Sequence, residues 1–451
     1  MAKIVGYQTT PQGNQVPIYS LGSNKPKKTG RQVIAVGSSL TSQGITSTGA
    51  RYGTDAVGFV EWAAVLCDQR FELRNAGSSG SNTTGMLDRL YNDVLQYEPD
   101  VVIVQNGTNE INDGVDSIWE NTIQMYRQIL DTGAHLIAIA VLPRGGGSGW
   151  TEANQKTALE LNEKKRKFCA LNENCTYVDV TEYIVDPNSQ DGYPLANMLR
   201  DSTHYTPRGA FRAGTVLANV LSQLFTPTDI LTQSYLDADG SDFVYGVESA
   251  NPTLLGTGGA IGTGASGVCP SGWRIERTTS SPASGSIAGA TPVADSGSLD
   301  PTLKYEMTFT PGGASGEEFY MRTQTATMTP NSTEDFYEAL IGIEVDAWDH
   351  WEEITLEVDD QGTGNKTIYA MLNVQDAVMP TEAWSGILRT PFFKSDGGVR
   401  LRLRTQIDGT GSGTGTIRVF KPQLRRVDPE LMPEIFNYYD NGSDNKIPNF
   451  N

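Results

Sequence analysis

A few residues in the first half of the chain have the types and spacing needed for acyl transfer. Ser39 follows an apolar run and a glycine, and Asp201 precedes His204 by three residues. A serine attacks an ester when a histidine takes its proton and a carboxylate orients that histidine. Gly80 and Asn109 can add N–H donors for the resulting oxyanion, from the backbone and from the side-chain amide.

The choice of base is narrow because the chain has only three histidines. His135 directly precedes a predicted strand and therefore lies at the end opposite the strand carboxyl termini. His350 belongs to the second half of the chain. His204 alone is expected at the edge where a ligand binds.

Each of these residues, taken singly, also has a structural interpretation. Serines at the end of a strand often cap the following helix, and Ser38 and Ser39 fit that role. The Asp-x-x-His residues can prepare the helix predicted to start at Pro207, and a glycine or asparagine in a polar loop is often only a turn residue. The functional interpretation gains support from the positions of the residues relative to one another.

Those positions follow from the predicted fold of residues 31–225. Short apolar runs alternate with amphipathic segments, which indicates βαβ units around a parallel sheet. The predicted strands are residues 33–36, 71–74, 101–104, 136–141 and 177–180, with helices at about residues 57–67, 86–95, 118–130, 152–171 and 207–224. Right-handed crossovers then give a flavodoxin-like three-layer α/β/α sandwich. Residues 38–56 are predicted to be mainly a polar loop, and the basic run 164–167 the solvated face of its helix.

The candidate residues all follow strands of this sheet. Ser39, Gly80 and Asn109 come after the first three strands, and the pair of Asp201 and His204 comes after the fifth. The carboxyl ends of parallel strands meet at one edge, where ligands of such sheets bind. Independent turn residues need not share that edge.

The second half of the chain has a different pattern. Gly, Ser, Thr and Ala are frequent over residues 251–300, and short segments of strict apolar and polar alternation follow. This pattern predicts an antiparallel, jelly-roll-like β-sandwich. The predicted domains are an N-terminal arm (1–30), the α/β domain (31–240), the β-sandwich (241–427) and a C-terminal extension (428–451). Its aromatic residues could stack on sugar rings or pack in the core; the candidates are Tyr337, Trp348, Trp351, Tyr369 and Trp384.

Composition limits the partners. A formal net charge of −19 argues against nucleic acids and anionic membrane surfaces. No apolar stretch is long enough to span a bilayer, so we expect a soluble protein. The first residues carry no signal-peptide pattern, so an extracellular site of action would need another route, such as release on a virion.

The cysteines predict no metal site, and we expect no cofactor. Cys67, Cys169, Cys175 and Cys269 lack the paired spacings of zinc ligands. Cys169 and Cys175 could close a small disulfide loop, although free buried thiols fit the sequence equally well.

Four sequence blocks resemble the SGNH, or GDSL, hydrolase family of esterases and lipases. Residues 37–40 (Gly-Ser-Ser-Leu) match the nucleophile block, and residues 75–80 (Asn-Ala-Gly-Ser-Ser-Gly) match the glycine block. Residues 107–110 (Gly-Thr-Asn-Glu) match the asparagine block, and residues 201–204 (Asp-Ser-Thr-His) match the terminal Asp-x-x-His block. Order and spacing both agree over roughly residues 31–225.

The resemblance implies a role for each residue. Ser39 would be the nucleophile, His204 the base and Asp201 its orienting acid. The backbone N–H groups of Ser39 and Gly80 and the side chain of Asn109 would form the oxyanion hole. Ser38 stands where the family usually has Asp, and Glu110 where it often has Asp. Neither position supplies an attacking or oxyanion atom, so catalysis is expected to survive.

The sequence therefore predicts a serine esterase acting on short acyl esters, with O-acetyl groups on a carbohydrate as the expected substrate. The alternative is a virion tail receptor-binding protein whose esterase domain trims a surface glycan, which would form a homotrimer. A lipase or thioesterase is less favoured, because no amphipathic basic helix or apolar lid segment is recognisable. A pseudoenzyme would require a broken triad, and all three residue types are present.

Overall fold

The first half of the chain forms an α/β domain with a parallel sheet at its centre. The computed structural model describes residues 3–9, 15–20, 31–48, 51–142, 144–145, 150–189, 192–227, 230–231, 251–278, 284–294, 303–324, 336–360, 366–373, 378–395, 397–427 and 438–439. Strands of this half are β1 Lys3–Thr9, β2 Gln15–Ser20, β3 Gln32–Gly37, β4 Ile45–Thr48, β5 Arg51–Asp55, β6 Glu72–Gly77, β7 Val101–Gln105, β8 His135–Ile139 and β9 Cys175–Val178. Helices are α1 Ser39–Ser42, α2 Phe59–Leu66, α3 Thr83–Asp93, α4 Val115–Asp131, α5 Glu152–Ala170 and α6 Pro207–Leu224, with 3-10 turns at Leu95–Tyr97, Ile111–Asp113 and Thr181–Tyr183.

Five of these strands form the predicted parallel sheet, in the order β6-β3-β7-β8-β9. This is the flavodoxin-like order 2-1-3-4-5, so the predicted fold class is confirmed. The two predicted edge strands are displaced, since β6 ends three residues later than predicted and β9 begins two residues earlier. Helix α6 has its predicted bounds. Its Thr206 cap accepts a hydrogen bond from the Gly209 N–H at 3.1 Å, with Pro207 at the first helical position.

Helices cover both faces of the sheet because its strands are apolar on both sides. Ile34 and Val36 belong to one core cluster with α3, α4 and the end of α5, whereas Val33 and Ala35 face α2 and α6. The cluster that contains Val33 and Ala35 is not confined to α2 and α6. It continues into the core of the second half of the chain, so the two halves share one apolar core.

The second half is an all-β region, as predicted. Its strands are β10 Ala260–Ile261, β11 Ala265–Gly267, β12 Trp273–Arg277, β13 Ser286–Gly289, β14 Val293–Ala294, β15 Leu303–Thr310, β16 Ser315–Thr323, β17 Phe336–Val345, β18 Trp351–Asp360, β19 Lys366–Leu372, β20 Trp384–Arg389, β21 Phe392–Phe393, β22 Val399–Asp408, β23 Gly415–Val427 and β24 Tyr438–Tyr439. One sheet has the order β10-β12-β16-β22-β18-β19-β5-β4. The other has the order β11-β13-β15-β23-β17-β21-β24, with β14 beside β15 and β20 beside β17.

Apolar side chains of the two sheets meet in the shared core. The ring of Phe309 on β15 lies 5.5 Å from that of Phe319 on β16, in an edge-to-face arrangement. The aromatic residues considered for sugar stacking are all at most 9 % exposed: Tyr337, Trp348, Trp351, Tyr369 and Trp384. All of them except Tyr369 belong to this core. Of the two interpretations, this burial favours core packing over stacking on sugar rings.

A hairpin between α1 and α2 joins the second half of the chain. Strand β5 pairs antiparallel with β4 and parallel with β19. The Met371 N–H donates to Thr54 Oγ1 at 3.0 Å, and the Ala56 N–H donates to the Leu372 carbonyl at 2.8 Å. The polar-loop prediction for residues 38–56 is therefore wrong over β4 and β5. Their threonines and serines find strand partners that local sequence does not reveal.

The domain bounds stay a prediction. The border near residue 240 and most of the C-terminal extension lie outside the described residues. In the N-terminal arm, β1 and β2 pair with each other in a separate two-stranded sheet. Within the described residues, no helix has the length and apolar character required to cross a membrane.

The structure joins Cys169 to Cys175 as a disulfide. The bond links the end of α5 to the start of β9, across a sequence separation of 6 residues. Cys67 and Cys269 are free and buried. The sequence left open whether Cys169 and Cys175 are free thiols or close a small disulfide loop, and the structure has the disulfide loop.

Candidate active site

Ser39 lies where the buried strand β3 turns into the short helix α1. The backbone N–H and the hydroxyl of Ser38 both donate to Gln105 Oε1, at 3.1 and 2.8 Å. Gln105 in turn donates from Nε2 to Thr108 Oγ1 at 3.0 Å. These contacts fix the turn that presents Ser39 and connect it to the end of β7.

The structure brings Ser39, His204 and Asp201 into one chain of hydrogen bonds. Ser39 Oγ lies 2.9 Å from His204 Nε2, and Asp201 Oδ2 lies 2.7 Å from His204 Nδ1. Because a carboxylate only accepts, Nδ1–H donates to Asp201, and Nε2 is left to accept the Ser39 hydroxyl proton. This is the arrangement that a general base needs toward a nucleophile.

The loop between β9 and α6 holds Asp201 in its ionised form. Asp201 Oδ1 accepts hydrogen bonds from the backbone N–H groups of Thr203 and His204, at 3.1 and 2.8 Å. Partial burial alone would raise the pKa of Asp201, but the hydrogen bonds from the His204 ring and from these N–H groups lower it below its ordinary value. A negative charge therefore faces the imidazole at neutral pH.

The loops after β3, β6 and β7 carry the three candidate N–H donors, which belong to Ser39, Gly80 and Asn109. Within the described residues, the backbone N–H groups of Ser39 and Gly80 have no protein acceptor. Asn109 uses one of its two amide hydrogens on the Ser81 carbonyl at 2.9 Å, which leaves the other free. The Ser78 N–H donates to the Gly37 carbonyl at 3.0 Å, so the loops after β6, β3 and β7 are tied together.

Gly80 needs to be glycine because of its backbone conformation. Its φ is 77°, in the left-handed region that side chains with a Cβ rarely adopt. A Cβ at this position would meet nothing within 4 Å, so the backbone there borders open space. The exposed N–H can therefore be approached by a substrate.

Lys165 supports the loop after β7, a role the sequence did not predict. The basic run 164–167 was expected to be solvated, yet Lys165 is 0 % exposed. Its ammonium donates to the carbonyls of Asn106 and Ile139, at 3.0 and 2.9 Å, and so bridges β7 and β8 at their carboxyl ends. Burial lowers its pKa to about 7, against the charge of Glu110, which raises it. Its position in the sequence could have indicated this burial, because Lys165 lies seven residues after Ala158 and therefore on the same apolar face of α5.

A buried carboxyl group is linked through Asn75 to α1, the helix that begins at Ser39. Glu61 on α2 accepts a hydrogen bond from Asn75 Nδ2 at 2.7 Å, and the same nitrogen donates to the Thr41 carbonyl in α1. Glu61 Oε2 has no hydrogen-bond partner among the described residues. Burial raises the pKa of Glu61 to about 7, although the bond from Asn75 lowers it. This carboxyl group therefore retains its proton in the folded state at mildly acidic pH.

Glu61→Gln should change how stability depends on pH. In the unfolded chain Glu61 ionises near 4.5, whereas in the folded protein it keeps its proton to about pH 7. The folded state thus binds more protons, and the contribution of Glu61 to stability falls as the pH rises from 4.5 to above 7. We therefore compare the free energy of unfolding of Glu61→Gln with that of the wild type at each pH. This difference should be more favourable to the variant at pH 8 than at pH 5, by about 1–3 kcal/mol.

Urea unfolding at the two pH values measures this difference. Glu160→Gln, at an exposed position of α5, is the matched control and should follow the wild-type pH dependence. If the free energy of unfolding changes with pH by the same amount in the wild type and in Glu61→Gln, a raised pKa for Glu61 is contradicted.

The other histidines lie away from this edge. His135 is at the start of β8, where Nε2 lies 2.8 Å from Thr176 Oγ1, and His350 lies in the β-sandwich beside Asp408. In the described part of the chain, no group of three or more His, Cys, Asp or Glu residues is arranged to hold a metal ion.

A known protein family matches the part of the chain that contains the candidate site. The GDSL-like lipase/acylhydrolase family matches residues 35–210, which span β3 to the start of α6. This range contains Ser39, Gly80, Asn109, Asp201 and His204. No curated protein sequence matches the chain.

Two solved structures that match part of this chain have low sequence identity to it. A GDSL-like lipase from Bacteroides thetaiotaomicron is 19% identical, and the match covers 45% of this chain and 93% of that one at a TM-score of 0.36. A catalytic mutant of the acetylxylan esterase Axe2 from Geobacillus stearothermophilus is 17% identical, with 43% and 94% covered at a TM-score of 0.34. From the family match, residues 35–210 are a GDSL-like lipase/acylhydrolase domain.

Proposed function

We propose that the chain is a serine esterase that hydrolyses short acyl esters, with O-acetyl groups on a carbohydrate as substrate. The observation that carries the proposal is the hydrogen-bond chain from Ser39 Oγ through His204 to Asp201, at 2.9 and 2.7 Å. It lies in a domain of the acylhydrolase family, at the carboxyl edge of the sheet.

In the first half-reaction, Ser39 Oγ attacks the carbonyl carbon of the ester, and its proton passes to His204 Nε2. The carbonyl electron pair moves onto oxygen, where the N–H groups of Ser39, Gly80 and Asn109 stabilise the charge. Collapse of this tetrahedral intermediate breaks the bond to the alcohol oxygen, which takes the proton from His204. An acyl-Ser39 ester remains, and Asp201 has stabilised the transient imidazolium without being protonated.

In the second half-reaction, a water molecule replaces the alcohol. His204 Nε2 takes one proton of the water as its oxygen attacks the acyl carbon. The new tetrahedral intermediate then expels Ser39 Oγ, which recovers the proton from His204. The net reaction converts one ester and one water into a carboxylic acid and an alcohol.

The surroundings of Ser39 support a polar, short-acyl substrate. The neighbouring loops carry small polar side chains, among them Ser79, Ser81, Ser202 and Thr203. Two exposed large apolar side chains, Leu159 and Leu224, lie in α5 and α6 and not in these loops. A long acyl chain would need an apolar surface here, whereas hydroxyl-rich sugars can bond to these side chains.

Acyl-chain preference and acetate release test the substrate class. We expect kcat/KM for p-nitrophenyl acetate to exceed that for the octanoate ester by about 10-fold or more, in line with differential transition-state binding. Acetate should be released from acetylated xylan by the wild type and not by Ser39→Ala. A preference for octanoate, or equal acetate release by Ser39→Ala, would contradict the proposal.

The alternative is a virion tail receptor-binding protein in which the esterase domain trims a glycan. It differs from a free esterase in its assembly, because it predicts a homotrimer in solution. Light scattering on the full chain distinguishes the two. Both alternatives use the same hydrolytic site.

A further inference from the structure

The segment after β8 connects the two loops that carry the candidate catalytic groups. Arg144 Nη2 donates to the Thr108 carbonyl at 2.7 Å and lies 3.4 Å from Asn109 Oδ1. The next residue, Gly145, donates its N–H to the Ser202 carbonyl at 2.7 Å. Ser202 lies between Asp201 and His204. Two adjacent residues therefore link the asparagine loop to the Asp-x-x-His loop.

The approach at Gly145 is close. A Cβ there would lie 3.3 Å from Ser202 Cα, tighter than most such contacts in proteins. Ser202 itself has φ 66°, an uncommon conformation for a residue with a Cβ. The contact to Gly145 thus helps to hold the loop in the shape that presents His204 to Ser39.

Arg144 is a half-buried cation with no carboxylate partner in the part of the chain that the structure describes. Among the described residues, none of its nitrogens lies within ion-pair distance of an Asp or Glu, and its buried Nε has no hydrogen-bond acceptor. Burial lowers the pKa of Arg144, but a guanidinium remains charged at any working pH. Buried charges are normally paired, because desolvation is costly. Here the nearest side chain with a proposed part in the reaction is the amide of Asn109.

We propose that Arg144 is a positioning residue that strengthens the oxyanion donor Asn109. This inference rests on the proposed function. Its bond to the Thr108 carbonyl fixes the turn, and its charge beside Asn109 Oδ1 polarises the amide so that Nδ2–H becomes a stronger donor. The amide of Asn109 passes this polarisation to the substrate oxygen, where negative charge develops in the transition state.

The test compares Arg144→Met and Arg144→Lys with Arg166→Met, an exposed arginine of α5 that serves as the matched control. With p-nitrophenyl acetate, we expect Arg144→Met to lower kcat about 10-fold with KM within about 2-fold, since the interaction is made mainly in the transition state. Arg144→Lys keeps the charge and should recover about half of that loss on a logarithmic scale. Arg166→Met should match the wild type.

A double-mutant cycle with Asn109→Ala shows whether Arg144 acts through Asn109. In the Asn109→Ala background, Arg144→Met should cost no more than about 2-fold in kcat, because the group it acts through is gone. If both substitutions multiply their effects, or if Arg144→Met changes only KM, the inference is overturned.

Two controls keep the outcome interpretable. If Arg144→Met lowers the thermal unfolding temperature markedly, added guanidinium should still raise its kcat, and Arg144→Lys supplies the comparison in a folded chain. An active Ser39→Ala would instead refute the proposed function itself. An inactive Ser39→Ala together with a fully active Arg144→Met refutes only the role of Arg144.

Discussion

Ser39→Ala is expected to lower kcat for p-nitrophenyl acetate by about 10⁴-fold or more, to the level left by the oxyanion donors and substrate binding. The reason is geometric, because no other hydroxyl is described at hydrogen-bond distance from His204 Nε2. KM should change little, since the hydroxyl contributes to the reaction more than to substrate binding. Steady-state kinetics on the purified variant measures both quantities.

The neighbouring serine of the same helix provides the control. Ser42→Ala removes a hydroxyl whose one hydrogen bond within the described residues is to the Ser39 carbonyl, at 3.4 Å, and should retain kcat within about 3-fold. His204→Ala should be as inactive as Ser39→Ala, and the double variant no worse than either, because the two residues act as one unit. Additive losses would show that they work separately.

Trp62→Ala is expected to destabilise the chain by about 3–5 kcal/mol, the range for removing a fully buried large aromatic residue. Trp62 is 0 % exposed. Its ring packs edge-to-face with Phe211 of α6 and Trp384 of β20, each at 5.2 Å, and its Nε1 donates to the Ala56 carbonyl at 2.7 Å. The side chain thus joins the α/β domain to the β-sandwich.

Urea unfolding followed by circular dichroism measures this loss. Tyr183→Ala, at a side chain that is 53% exposed, is the control and should cost less than about 0.5 kcal/mol. A double-mutant cycle with Trp384→Ala should give a coupling energy of about 0.5–1.5 kcal/mol. Additivity of the two substitutions would show that the rings do not stabilise the junction.

Further contacts also join the α/β domain to the β-sandwich. Arg212 pairs with Glu382 at 3.0 Å, and Arg389 pairs with Glu72 at 2.9 Å. Gln69 Nε2 also donates to the Ile387 carbonyl at 3.0 Å. Together with the shared sheet through β5, these contacts lead us to expect that the two halves unfold as one cooperative unit.

Features that depend on local pattern could be predicted from the sequence. The apolar run before Ser39 is a strand because it is covered on both faces, and parallel topology then places the ends of β3, β6, β7 and β9 on one edge. The candidate residues lie together for that reason. Helix α6 begins where predicted because Thr206 and Pro207 are both good residues for a helix start.

Features that depend on distant partners could not. The hairpin of β4 and β5 has few apolar residues, and its partner strand β19 lies more than 300 residues further along the chain. Lys165 lies within a run of basic residues, and such a run predicts a solvent-exposed face. Its burial on the apolar face of α5 was therefore not predicted. Arg144 follows a strand that carried no candidate residue, and only its contact with the Asn109 loop reveals it.

The most direct test of the account is covalent labelling of the nucleophile. Treatment of the wild type with an alkyl fluorophosphonate should add one phosphonyl group per chain, located by peptide mass spectrometry on Ser39, and should abolish ester hydrolysis. Ser39→Ala should remain unlabelled, and Ser42→Ala should label like the wild type. Labelling of another residue, or full inactivation without modification of Ser39, would contradict the assignment of Ser39 as the nucleophile.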